Sequence, residues 1–245
     1  MEYLPCITKK MKSTHCGEIN SERSKTDRVE IVYYTDPLCC WSWALGPEWK
    51  KLLEEFNEKI SWRYCLGGMI QDWDHYDDPL NTISRPAQMG PLWMEAMHRS
   101  GRKIHYNIWM EDPPASSYPA CIAVKSAEMQ SSRAGTLYFE ALQEAVMCKG
   151  RNIAKPEILM EVAKDLAAKN PGLLSLTDFS RDLRGEKSRA AFRDDLKDVR
   201  YKRIGRFPTL TITKPGETGI ILTGYRHHEI LRKAFLRIAE SDQGG

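Results

Sequence analysis

The chain has 245 residues, 42% apolar and 28% charged, which is the balance of a soluble globular protein built as one large domain or two small ones. Lys and Arg (36) barely exceed Asp and Glu (33), so charge makes no case for nucleic acid or a membrane as partner. No uncharged apolar run approaches the ~20 residues of a membrane span.

The opening stretch, MEYLPCITKKMKSTHCGEINSERSKTD, lacks the apolar centre of a secretory signal, so a cytoplasmic location is expected. Residues 1–27 show no periodic pattern and are expected to form an arm. Cys6 and Cys16 lie in it at a spacing that fits no zinc signature, and no metal site is expected. Residues 29–35 (VEIVYYT) are β-branched and aromatic, as in a buried strand, and stop at Asp36-Pro37. The next stretch places Trp49, Leu52, Leu53 and Phe56 at helical spacing, with Pro47 predicting a kink about one turn after the start. Residues 60–66 (ISWRYCL) read as a second strand, ended by Gly67-Gly68. This β-α-β opening implies parallel strands and a right-handed crossover.

From about residue 85 to 201 the pattern is helical. The best segments lie near 86–101, 117–131, 135–148, 155–169 and 188–203, with Pro and Gly between them. Strand character returns at 208–213 and 219–223, joined by Lys214-Pro215-Gly216-Glu217-Thr218 as a hairpin. A last helix is expected near 226–240. The expected organisation is an N-terminal arm (1–27), an α/β domain made of 28–84 with 202–245, and an all-helical insertion (85–201).

The chemistry concentrates in Asp36-Pro37-Leu38-Cys39-Cys40-Trp41-Ser42-Trp43. Cys39 follows a strand and opens a helix, where unpaired N–H groups and the helix dipole favour an anion. A thiolate is such an anion, so this placement predicts a Cys39 pKa below the free value of ~8.5 and a nucleophile at neutral pH. The alternative is a small, inert, buried cysteine in a strand-helix corner. Seven cysteines, an odd number, suit reduced thiols better than a disulfide framework. Pro208 opens a strand, where its missing N–H loses no ladder bond. The Phe207-Pro208 bond is open to either isomer.

The element order, the cysteine at the first helix and the proline before the third strand resemble the thioredoxin superfamily. The long helical insertion resembles its DsbA-like branch. The string IVYYTDPLCCWSWALGPEW is similar to cytosolic members that run Asp-Pro-x-Cys-x-x-Cys-Trp. These include FrnE-type proteins, relatives of 2-hydroxychromene-2-carboxylate isomerase, and adaptors that deliver a transcription factor to a protease. The resemblance implies Cys39 as nucleophile and Pro208 as a cis proline facing it. Ser42 would support the thiolate, and Trp41, Phe207 and Thr209 would contact substrate.

The second cysteine of the usual pair is replaced here by Ser42, and a hydroxyl forms no disulfide. The chemistry left is monothiol: Cys39 attacks a disulfide, and a second thiol releases the mixed disulfide. Glutathione, Cys40 or Cys121 are candidates for that second thiol. A Cys39–Cys40 bridge would be strained, because adjacent Cα atoms sit ~3.8 Å apart. Cys65 and Cys148 are expected in the core. Three functions follow: a monothiol oxidoreductase or isomerase acting on disulfide-containing proteins, an adaptor with a protein partner, or a glutathione-dependent isomerase.

Other signals read as structural. Asp72, Asp74, His75, Asp77 and Asp78 suit an acidic solvated loop better than a metal site, since no EF-hand spacing is present. Residues 181–206 carry ten Lys or Arg against five acids, as expected of a solvated helix laced with ion pairs. Their last members, Arg200, Lys202, Arg203 and Arg206, lead into Phe207-Pro208 and are candidates to lower the Cys39 pKa or hold a glutathione carboxylate. His227 and His228 are expected at a helix cap. Trp93, Trp109 and Met89, Met94, Met97 and Met110 mark an apolar face of the insertion.

Overall fold

The computed structural model describes residues 28–78, 80–215 and 218–240. Cys6 and Cys16 fall outside the described residues. Strand β1 (Val29–Thr35) is followed by helix α1 (Cys40–Phe56) and strand β2 (Ile60–Leu66). Seven helices come next: α2 (Met89–Ser100), α3 (Ile108–Glu111), α4 (Tyr118–Glu128), α5 (Ser132–Lys149), α6 (Pro156–Lys169), α7 (Leu176–Arg184) and α8 (Glu186–Tyr201). Strands β3 (Thr209–Thr213) and β4 (Ile220–Thr223) and helix α9 (His228–Ala239) complete the described chain.

The sheet runs β2-β1-β3-β4. β1 pairs with β2 in parallel, Val29 opposite Ile60 and Thr35 opposite Leu66. β3 is antiparallel to β1, with Tyr34 opposite Thr209, and β4 is antiparallel to β3. This is a thioredoxin-like α/β fold with a helical insertion. The C-terminal ends of β1 and β2 and the N-terminal end of β3 therefore meet at one edge, and Cys39, Gly67 and Pro208 all lie just beyond it.

Two apolar clusters hold the chain together. Val29, Ile31 and Tyr33 of β1 alternate onto one sheet face, as strand geometry requires. There they meet Leu45, Trp49 and Leu52 of α1, Leu210 and Ile212 of β3, and Leu231 and Phe235 of α9. A Leu or Phe buried in this way contributes roughly 1.5–3 kcal/mol. The second cluster fills the insertion, with Trp93, Trp109, Tyr138, Phe139 and Phe179, and reaches the motif through Leu38, Cys40 and Leu66. Phe179 belongs to α7, which sequence periodicity passes over, as it does α3. Both helices are short (nine and four residues), too few turns to establish a period.

Pro47 lies inside α1, which runs on through it. Proline has no N–H to offer the carbonyl four residues earlier, that of Trp43. The Arg102 guanidinium takes over, donating from Nη1 to the Trp43 carbonyl. It also stacks 3.2 Å over the Trp43 ring. The helix break is thus satisfied from the insertion, a contact that local sequence does not announce.

Candidate functional site

β1 ends at Thr35, and the next residue builds the turn that carries Cys39. The Asp36 carboxyl accepts from the Leu38 amide (2.8 Å) through Oδ1. Its Oδ2 accepts from the Met69 amide (2.6 Å), the Ser117 hydroxyl (2.8 Å) and the Cys121 thiol (3.6 Å). The Cys39 amide closes the turn onto the Asp36 carbonyl at 3.0 Å. Asp36 is fully buried, and burial raises its pKa from the ordinary carboxyl value against the pull of these four donors. It joins β1, the segment after β2 and α4 at one point.

Cys39 is the N-cap of α1, and its Sγ accepts from the Ser42 amide at 3.4 Å. The placement at a helix start is the expected one, but the titration is not. Cys39 is only 4% exposed, and burial pushes its thiol up to about 11. The Ser42 hydroxyl and amide oppose the shift, and the neighbouring Asp36 charge adds to it. Burial outweighs the Ser42 hydroxyl and the Ser42 and Trp41 amides, so the thiol lies above its ordinary value where the helix start alone predicts a value below it. None of Arg200, Lys202, Arg203 and Arg206 is among the main influences on this pKa. The charge the sulfur feels most is the carboxylate.

Ser42 is itself buried, and its hydroxyl makes no hydrogen bond of ordinary geometry. The Tyr33 hydroxyl donates to its carbonyl at 3.3 Å. A cleft of about 450 Å³ opens behind the motif, with Ser42, Trp49, Tyr64 and Phe139 on its walls.

The other cysteines have separate surroundings. Cys40 is a free thiol turned toward the Leu92 carbonyl (4.0 Å), packed as an apolar residue of the insertion cluster. Cys121 is free and buried, and its thiol is engaged by Asp36. Burial raises both thiols well above the ordinary value. Cys65 is buried under Asp195, its Sγ 3.6 Å from that residue's carbonyl oxygen. Cys148, expected in the core, is half-exposed, because it lies on the last turn of α5 where that helix leaves the cluster.

The peptide bond between Phe207 and Pro208 is cis. Pro208 is buried, and its carbonyl accepts from the Gly224 amide at 2.7 Å. The Phe207 ring lies on Gly67, where an added Cβ would meet the ring at 1.8 Å, so only glycine fits there. Thr209 is buried and donates to the Arg206 carbonyl (2.8 Å), which fixes the loop rather than facing outward. Trp41 is half-exposed, with the Arg99 guanidinium 5.5 Å from its ring centre.

Sequence pattern missed the buried polar links. Asp195, counted above among solvated acids, is buried. It accepts from the Lys125 ammonium (2.8 Å) and the Leu66 amide (2.8 Å). Arg63 reaches Asp198 at 2.5 Å, and the Tyr34 hydroxyl donates to the same carboxylate at 3.3 Å. Nothing in a charge-rich helix marks which acid turns inward. Asp72 and Asp78 close local turns through the amides of His75 and Asn81. Among the described residues, no three His, Cys, Asp or Glu side chains gather as a metal site. His227 caps α9, and the His228 amide donates to Glu48 of α1. No described helix is long and apolar enough to cross a membrane.

Comparison with known proteins agrees with this architecture. The chain is similar to the ClpXP adapter protein SpxH of Halalkalibacterium halodurans, 26% identical over 213 residues, covering 86% of this chain and 68% of that protein. It is 28% identical over 206 residues to SpxH of Bacillus subtilis, covering 82% of this chain and 64% of that protein. It thus spans about two thirds of the length of these relatives. Among solved structures it resembles the cytosolic disulfide reductase DsbM from Pseudomonas aeruginosa, with a TM-score of 0.61 and 20% identity, covering 87% and 94% of the two chains. It also resembles a 2-hydroxychromene-2-carboxylate isomerase, with a TM-score of 0.59 and 12% identity, covering 87% and 98%. The family described as Thioredoxin matches residues 33–233. With the DsbA-like fold and this match over most of its length, the chain belongs to the thioredoxin family.

Proposed function

We propose that the protein is an adapter of the ClpXP type on a DsbA-like scaffold, in which a protein surface does the work and the thiol motif is residual. The observation that carries this reading is the state of Cys39. It is buried, its thiol is pushed up to about 11, and Ser42 stands where a disulfide partner would be. At neutral pH such a sulfur is almost wholly protonated and a poor nucleophile. The relatives named as ClpXP adapters support the same reading. It places the protein in the cytoplasm, with a protein substrate as partner. The test is degradation of the host's soluble proteome by purified ClpXP with and without the full chain. At least one protein is expected to disappear severalfold faster with the chain present, equally so with Cys39→Ser. If no protein is degraded faster, or if Cys39→Ser abolishes the effect, the adapter reading fails.

A second reading rests on the Ser42 amide held 3.4 Å from the sulfur at the start of α1, the strand-to-helix corner that ordinarily favours a thiolate. It is monothiol exchange. The Cys39 thiolate attacks a disulfide, one S–S bond forms as another breaks, the leaving thiolate takes a proton, and an external thiol such as glutathione reverses the capture. Mass spectrometry after exposure to oxidised glutathione tests it. An adduct on Cys39 that free thiol removes supports this reading, and an unmodified Cys39 excludes it.

A further inference from the structure

We infer that the end of α8 and the loop joining it to Pro208, residues 200–206, form a docking site for an acidic segment of a partner protein. The inference deepens the adapter reading by giving the chemistry of the partner.

Helix α8 and its neighbour α7 neutralise several of their cations locally. Arg181 pairs with Asp178 at 2.7 Å, Lys197 with Asp194 at 2.8 Å, and Arg193 with Glu186. Arg184, Lys187 and Arg189 of these helices are exposed and have no acidic partner among the described residues either, but no exposed aromatic residue lies among them in the chain, as one does at the helix end. Arg200, Lys202, Arg203 and Arg206 are all exposed, and among the described residues none has an acidic partner. A helix C-terminus favours cations, which accounts in part for the first three. It accounts neither for Arg206, which lies beyond the helix, nor for Tyr201, an aromatic side chain left 84% exposed among these charges. Arg203 adopts a φ of 53°, turning the chain sharply between the helix and the loop.

The loop is also fixed at its far end. Phe207 packs on Gly67, and the Gly67 amide donates to the Thr35 carbonyl at 2.7 Å. The segment that carries the four cations and Tyr201 therefore runs into the sheet edge that carries the Cys39 motif, anchored there by Phe207. Unpaired cations beside an exposed aromatic ring match carboxylates interspersed with apolar groups. A nucleic acid fits less well. The patch spans seven residues, Asp194 and Asp198 lie on the preceding turns of α8, and the whole chain carries only +3.

The test uses fluorescein-labelled decaglutamate and the full chain, followed by anisotropy at low and at physiological salt. The unmodified protein is expected to bind, more weakly as salt rises. The variant Arg200→Gln, Lys202→Gln, Arg203→Asn, Arg206→Gln is expected to lose about tenfold in affinity. Arg184→Gln, Lys187→Gln, Arg189→Gln, which removes exposed cations elsewhere on α7 and α8, is expected to change it little. In the unmodified protein, the peptide is expected to slow amide exchange across 200–207, a readout that needs no variant. Equal loss in both variants, absence of exchange protection, or tighter binding of labelled single-stranded DNA than of the peptide would each overturn the inference. Its failure is separable from that of the adapter reading. Faster degradation by ClpXP that survives the loop variant removes the loop and keeps the adapter. Peptide binding at the loop without any ClpXP effect does the reverse.

Discussion

At the scale of single residues, burial decides the character of the motif. Cys39 occupies the helix start that ordinarily favours a thiolate, yet it is enclosed beside a carboxylate that is itself enclosed. Its folded-state pKa lies above the unfolded value, so the neutral thiol is the form the fold holds. The stability linked to this group is complete below the free-thiol value of ~8.5 and is lost as pH rises toward about 11. Two results are expected. Alkylation of Cys39 by iodoacetamide, followed by mass spectrometry across pH, should rise with a midpoint near 11. The urea midpoint of the whole chain should fall over the same window. Half-maximal alkylation below pH ~8.5 would restore the activated nucleophile that the position at the helix start predicts.

Among the elements, α1 shows how a local defect is used to join two parts of the chain. Its spacing of apolar residues was legible, as was the proline within it. The partner for the freed Trp43 carbonyl was not, since Arg102 lies 59 residues away in the insertion. Arg102→Ala removes that donor and the stacking on Trp43, and is expected to lower stability by about 1–3 kcal/mol in urea unfolding. Pro47→Ala returns an N–H to the helix. In that background Arg102→Ala should cost measurably less, a coupling read from the double-mutant cycle. Additive losses would mean that the guanidinium does nothing for the helix break. The hairpin β3–β4 and the helices α2, α4, α5, α6, α8 and α9 were readable within a few residues because each has a clear apolar period and a Pro or Gly boundary.

Across the whole molecule, the insertion is bound to the sheet by polar links as well as by packing. Lys125 of α4 and Asp195 of α8 form a pair in which both side chains are 8% exposed, and Asp195 also holds the amide of Leu66 at the end of β2. Removing one partner leaves an uncompensated buried charge, which costs about 3–5 kcal/mol. Lys125→Met should therefore unfold at markedly lower urea, with Arg63, 3.6 Å from Asp195, softening the loss. A replacement of both partners, Lys125→Met with Asp195→Leu, should recover part of it. If the single change costs nothing, the pair does not tie the insertion down.

The amino-acid order alone determined the α/β class, the position of the helical block, the strand-to-helix corner at Cys39 and the proline before β3. These depend on periods and on residue types that act over a few positions. Tertiary structure decided the rest: that Asp36 gathers four donors, that Asp195 turns inward, that the Cys121 thiol lies against the Asp36 carboxyl, and that Cys39 is buried. Each is a balance between desolvation and hydrogen bonds supplied by segments distant in the chain. That balance exists only once those segments have been brought together.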